Sequence, residues 1–312
     1  MVAPSIKLTT GPSPSTHTRL SPVTPSKSAA VVESKAERRT GQLLKEVQPH
    51  DLLKFGIIPE PVHYWPPFCQ NYMIEYQQNL DLLRQYEQTD LFSVRVLALA
   101  ESYGCDYNFA RFYVQRTESG QMTAVLSYLD RDCTLSLTEN ADREELTAFF
   151  AAMGYGTLLC TADFCMDRPY REGPMMQSVR RYDVQSGMAV FDSYPKLMDL
   201  YNFIDYDCQD FESWYVDLSH RIRHGGAKAL TLRMDGMILA SGILSSVTDK
   251  GAVLTAVRTQ PEFRRMGYGS MLVRRLVADC KGTVYLMREQ GRNEQFYLQN
   301  GFINQGLWRQ YQ

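Results

Sequence analysis

A run of backbone amides with no side chain over them is the first chemistry this chain offers. Residues 257–270 read Val-Arg-Thr-Gln-Pro-Glu-Phe-Arg-Arg-Met-Gly-Tyr-Gly-Ser. Ahead of them lies a β-forming stretch over 251–257, with Val253, Leu254, Thr255 and Val257. Behind them, Met271, Leu272, Arg274, Arg275, Leu276 and Val277 recur at helical spacing. The order is a strand, a turn at Pro261, and a glycine loop that opens a helix. Gly267 and Gly269 let the backbone turn tightly and leave its N–H groups bare. Free N–H groups at a helix N-terminus attract anions, because the orphan donors and the helix dipole point the same way. Arg264 and Arg265 add positive charge. These residues predict a pyrophosphate cradle built from the amides of 265–270. The loop is not a phosphate-binding Gly-Lys-Ser/Thr loop, since no such triplet follows. Nor is it a dinucleotide fingerprint, because Leu272 stands where a third glycine is required.

A second constellation lies downstream. Residues 283–287 read as a buried strand. They lead to Asn293-Glu-Gln-Phe-Tyr297-Leu-Gln-Asn-Gly301-Phe302. Asn293 and Tyr297 are four apart, which puts them on one face of a helix expected over 292–299. Gly301 suits a helix C-cap, and Phe302 begins an apolar strand.

Together, Arg264-x-x-Gly267-x-Gly269 and the later Asn293, Phe296-Tyr297 and Gly301-Phe302 set resemble the two signatures of the GNAT acetyltransferases. That resemblance implies direct transfer of an acyl group from a CoA thioester to an amine, with acetyl-CoA as co-substrate and no metal. It implies that the loop from Arg264 to Ser270, including Met266 and Tyr268, holds the pyrophosphate. Backbone groups of Val257 and Thr259 would pair with the pantetheine arm, and Asn293 would bind CoA or order water. Arg265 stands where the family often has glycine, although its backbone can still donate. Tyr297 is the expected general acid. A phenol with a pKa of about 10 can reprotonate a leaving thiolate whose own pKa is about 8.5.

The base stays open. The strand over 251–257 holds no carboxylate. Glu289, just past the strand over 283–287, is the first choice, directly or through water. Asp217 and His220, on a helix expected over 211–224, are further possibilities. Tyr201, Phe203, Trp214 and Tyr215 are candidates for lining an acceptor pocket or for forming core.

These groups need elements to hold them. The expected order in residues 181–312 is helices over 195–204 and 211–224, stopped by Gly225-Gly226, then strands 228–233 and 237–244 joined at Asp235-Gly236. Strand 251–257, helix 267–279, strand 283–287, helix 292–299 and strand 301–308 follow. This α/β order is the one the resemblance implies, a mixed, mostly antiparallel sheet whose central strands splay for acyl-CoA. Residues 46–180 are expected to run as a helix over 72–86, strands 108–116, 122–128 and 133–137, a helix over 142–153 capped by Asn140, and a strand over 157–161. They form either a degenerate GNAT-like half without a phosphate loop or an unrelated α/β domain. Residues 1–45 are rich in Ser, Thr and Pro and are expected to be disordered.

Composition narrows the class further. The net charge of −2 points to neither nucleic acid nor a membrane surface as partner. It is unevenly spread. Seven Lys/Arg against two Glu leave +5 in residues 1–45, hence −7 in the remainder. Seven scattered cysteines, with no Cys-x-x-Cys, suit reduced thiols and a cytoplasmic location. The five histidines form no ligand cluster, and no run of residues matches a membrane span or a secretory signal. The partners expected are acetyl-CoA and an amine acceptor, with the oligomeric state open. Two other readings remain: a non-catalytic acyl-CoA-binding module, and an aminoacyl transferase with tandem GNAT-like halves, which would lack the Arg264–Gly269 loop.

Overall fold

The computed structural model describes residues 72–184, 187–204 and 210–312. The expected disorder of residues 1–45 lies outside them. Two stretches of chain fold by one recipe and share a single sheet. The first runs β1 (Tyr72–Tyr76), α1 (Leu80–Arg84), α2 (Leu91–Tyr103), β2 (Ala110–Thr117), β3 (Met122–Leu129), β4 (Asp132–Leu137), α3 (Arg143–Met153), β5 (Thr157–Thr161) and β6 (Tyr170–Ser178). The second runs β7 (Val190–Asp192), α4 (Leu197–Ile204), α5 (Phe211–Arg223), β8 (Lys228–Met234), β9 (Met237–Val247), β10 (Gly251–Thr259), α6 (Tyr268–Ala278), β11 (Thr283–Met287), α7 (Glu294–Gln299) and β12 (Phe302–Tyr311).

In each half an antiparallel meander leads through a helix to a parallel strand. β4 pairs with β5 across α3, and β10 pairs with β11 across α6. The other nine pairings are antiparallel. The architecture is therefore the mixed, mostly antiparallel α/β sheet expected.

The halves also trade strands. The sheet order is β1-β2-β3-β4-β5-β12-β6-β11-β10-β9-β8-β7. β12 lies beside β5 of the first half, and β6 lies beside β11 of the second. Burial fixes the exchange. Tyr311, from the last strand, is fully buried in the core of the first half beside Phe150, Leu158 and Phe164. Its hydroxyl donates to the Phe164 carbonyl at 2.7 Å. Met176, from β6, lies in the core of the second half with Leu254, Leu272, Leu286 and Phe302.

Several local expectations are corrected. Residues 72–86 are not one helix but strand β1, a turn at Asn79 and the short α1. The aromatic spacing there suits an edge strand as well as a helix, and pairing with β2 decides it. Helix α3 is capped by Asp142, not Asn140. The Asp142 carboxylate accepts the N–H of Glu145 at 2.9 Å. Strands β6 and β7 were not anticipated, and neither was α2. Ten of the thirteen residues of α2 are buried, so it has no polar stripe for a periodicity argument to find. A capping box between Asp90 and Ser93 starts it.

Candidate functional site

The site begins where β10 and β11 part. They pair only from Gly251 with Thr283 to Leu254 with Leu286. Beyond Leu254, β10 stays on β9 but gains an extra residue between Thr255 (opposite Ile243) and Arg258 (opposite Ser241). Ala256 sits in that bulge with a φ of 52°. β11 meanwhile pairs on its other side with β6, through Tyr285–Met287. Residues 255–259, which include Val257 and Thr259, therefore border the gap with no β11 partner across it. Both residues are half-buried.

The bulge is supported from below. Trp214, Tyr201 and Phe211 pack with Leu200, Leu218 and Ala256 between helices α4 and α5. Trp214 and Tyr201 are thus core rather than pocket lining. Tyr215 is exposed and borders an outer groove with Tyr194, Leu197 and Ile222. Phe203 is half-buried on α4.

The chain then turns at Pro261–Phe263 and reaches α6. Gly267 is the N-cap residue, in the left-handed region with φ 88°, and no side chain caps the helix. The first helical bond runs from Met271 N to Gly267 O at 2.9 Å, so the amides before it have no partner within the helix. Arg265 also has positive φ, 65°, and it lies exposed beside Arg264 and Met266. The Nε of Arg264 donates to the Thr259 carbonyl at 3.3 Å, which ties the loop to the end of β10. Tyr268 packs edge-on against Phe263. Gly269 is needed for a different reason: a Cβ there would stand 2.7 Å from Thr259 Oγ1. The helix can approach the splayed strand because that residue has no side chain.

Tyr297 is half-buried on α7, edge-on to Phe296 and Phe302. Its hydroxyl makes no hydrogen bond with another described residue. Burial pushes its pKa up to about 12, which keeps the phenol protonated at neutral pH. Asn293 departs from expectation. It is not on the helix face of Tyr297 but is the exposed N-cap residue, with φ 57°. Asn tolerates this left-handed conformation after the Gly291 turn, so α7 starts at Glu294. The Asn293 carbonyl accepts the Tyr297 N–H at 3.2 Å.

Glu289 is exposed past the end of β11 and pairs with Arg292 at 2.8 Å. Asp217 and His220 face elsewhere. Asp217 accepts the Tyr103 hydroxyl at 2.5 Å and pairs with Arg221. His220 stacks on Tyr103 at 4.7 Å, and its Nε2 donates to the Ser102 carbonyl at 2.9 Å. Both residues bind α5 to α2 of the other half.

One group went unread in the sequence. Asn300 ends α7 just before Gly301. It is 1% exposed and hydrogen-bonds both α6 and α7. Nothing in the neighbouring residues, with Gln299 before it and Gly301 after it, marks it off from an ordinary helix end.

Residues 193–302 match the sequence model of the Acetyltransferase (GNAT) family. This span is a GNAT acetyltransferase domain. It runs from just after β7 to the first residue of β12 and contains the gap, the loop and Tyr297. Solved structures share the fold over about three quarters of the chain. A Drosophila protein aligns over 77% of this chain and 98% of its own, at 12% identity and a TM-score of 0.53. A GCN5-related N-acetyltransferase from Sphaerobacter thermophilus aligns over 77% and 94%, at 12% identity and a TM-score of 0.50. At such identities the likeness concerns fold alone. Among the described residues, no helix is long and apolar enough to cross a membrane.

Proposed function

We propose that residues 181–312 move an acetyl group from acetyl-CoA to an amine by direct attack, and that residues 46–180 are a degenerate GNAT-like half that completes the sheet. The observation that carries this reading is the bare N-terminus of α6 beside the parted strands. An uncapped eleven-residue helix offers its first amides, with Arg264 and Arg265 adding charge, to a diphosphate. The arm of acyl-CoA then lies along Val257 and Thr259 as an added strand at an unpaired edge. The acetyl group enters the gap between β10 and β11.

Attack by the amine forms the new C–N bond and breaks the C–S bond, which leaves a thiolate. Tyr297 supplies the proton to that sulfur. The desolvation that raises the phenol pKa acts on the bound thiolate too, so burial does not by itself remove the driving force for transfer. Glu289 is the candidate base at the mouth, taking the amine proton through water. Asn293 contributes from the α7 N-cap. The acyl-CoA loop favours this reading over an aminoacyl transferase, and the free, protonated Tyr297 hydroxyl favours it over a passive CoA-binding module.

The test is thiol release from acetyl-CoA against a panel of amines, for the full chain and for Tyr297→Phe. Loss of a general acid should cut turnover by about 10²–10⁴-fold. CoA affinity should move little, since one hydrogen bond contributes on the order of 1 kcal/mol. Near-full turnover in the Phe variant would remove Tyr297 from the mechanism. CoA binding with no acceptor-dependent release would leave the passive module.

A further inference from the structure

Helix α7 spans six residues, too short for its own hydrogen bonds to hold its direction. It is tied at both ends instead. At its start, Glu294 accepts from Arg288 at 2.8 Å and from Asn304 at 2.7 Å. At its end stands Asn300. Its Nδ2 donates to Ser270 Oγ at 3.1 Å and to the Phe296 carbonyl at 2.7 Å. Its Oδ1 accepts from Arg274 Nε at 2.9 Å. Ser270 lies in the first turn of α6 and Arg274 one turn further on. Phe296 stands immediately before Tyr297, and its ring would lie 3.5 Å from a Cβ at Gly269. A buried amide therefore joins the helix that would receive the diphosphate to the helix that carries the phenol, beside an exposed bond from Arg274 Nη2 to the Gln299 carbonyl at 3.3 Å.

We infer that Asn300 is a positioning residue that fixes Tyr297 relative to the α6 N-terminus, so that binding at α6 orders α7. This rests on the acyl-CoA reading above. The chemistry calls for such a link. A diphosphate and a thioester sulfur on one ligand are separated by an arm of set length. The phenol can reach the sulfur only if its helix keeps a matching distance from the anion site. A side chain whose three partners span both helices keeps that distance. An apolar residue of the same size would fill the space but leave the two helices free to slide.

Asn300→Asp tests this in the full chain. It keeps the shape, the acceptor for Arg274 and a contact with Ser270, whose hydroxyl can donate to the carboxylate, but it cannot donate to the Phe296 carbonyl, so the α7 end of the link is lost. The first readout needs no acceptor: backbone hydrogen exchange with and without CoA. In the unaltered protein, CoA should slow exchange in both 265–270 and 294–300. In Asn300→Asp it should protect 265–270 and no longer 294–300. The double variant Ser270→Ala/Arg274→Met removes both α6 partners of Asn300 and should give the same pattern, which keeps the test open if the Asp variant does not fold.

The second readout is a cycle with Tyr297→Phe. Asn300→Asp should lower kcat by about 10-fold through misplacement of the acid. The KM for acetyl-CoA should change by less than threefold, and no further loss should occur when Tyr297 is already Phe. Protection that still reaches 294–300 in both variants, or an equal loss in the Tyr297→Phe background, would overturn the inference alone. No protection of 265–270 in the unaltered protein would overturn the acyl-CoA reading, and the inference with it.

Discussion

Helices α3 and α6 occupy equivalent places in the two halves, each between the two parallel strands of its sheet segment, yet their N-termini are opposites. α3 begins at Asp142, whose carboxylate already accepts an orphan amide, with Glu144 and Glu145 in the first turn. α6 begins at left-handed Gly267 with no side-chain cap, no acid in its first turn, and two arginines just ahead of it. The helix dipole favours an anion at both ends. In the first half the protein supplies that anion itself. In the second half the place is open. The second difference is α7, which stands between β11 and β12 and has no helical counterpart between β5 and β6. One fold recipe thus yields one half that is self-satisfied and one that exposes donors to a ligand. On the reading proposed above, the N-terminus of the helix, its cap together with the charges beside it, decides which half holds a diphosphate.

The largest effect should come from making α6 resemble α3. Gly267→Asp would install a carboxylate where Asp142 stands. A Cβ at Gly267 meets no heavy atom within 4 Å, and Asp tolerates left-handed φ better than most residues, so the free protein should stay folded. Placing a unit negative charge about 4 Å from a diphosphate near the surface costs on the order of 4 kcal/mol, or roughly 10³-fold in affinity. The rise in melting temperature with CoA should vanish. An unchanged shift would mean that the ligand does not bind at Gly267.

Much of this was legible in the sequence because it depends on local rules. Bare glycines before a helical period mark an open N-terminus. Gly301 before Phe302 marks the end of a helix. A φ of 88° at residue 267 is what a glycine at that place permits. What could not be read depends on contacts far along the chain. The strand exchange joins residues more than a hundred positions apart, and the pattern of β12 does not say whose edge it will meet. Helix α2 was silent because burial on all sides removes the periodicity. Asn293 looked helical from its spacing to Tyr297, but the turn at Gly291 delays the helix by two residues. The bulge at Ala256 has no residue signature, since alanine is not a residue that announces positive φ.

A second way to probe the comparison is the strand that the halves exchange. Tyr311 belongs to the second half by chain order and to the first half by burial, where it is fully enclosed and its hydroxyl also accepts from Met166 N at 3.1 Å. Tyr311→Ala should destabilise the protein by about 3–5 kcal/mol through the cavity left by an aromatic side chain. Because β5, β12, β6 and β11 form one ladder, the loss should show in both halves at once. Urea unfolding followed by circular dichroism and by tryptophan fluorescence should move to lower midpoints with coincident curves. Separated transitions would show that the halves fold independently despite the exchange.

The smallest effect should come from opening the closed end. Asp142→Ala removes the carboxylate that accepts the Glu145 N–H and should cost about 1 kcal/mol of stability, within the usual 0.5–2 range for a cap. Thermal unfolding should register that loss without a change in CoA affinity, because the site at Gly267 is untouched. Binding stoichiometry is the sharper readout. Removing the cap frees one amide but leaves Glu144 and Glu145 in the first turn, where each still repels a diphosphate, and no arginine pair precedes α3. Titration calorimetry should therefore give one CoA per chain for the unaltered protein and one again for Asp142→Ala. A second site in the variant would show that the cap alone separates the halves and that the neighbouring charges are incidental. Two sites of similar affinity already present in the unaltered protein would end the comparison, since the first half would then be no less a ligand site than the second.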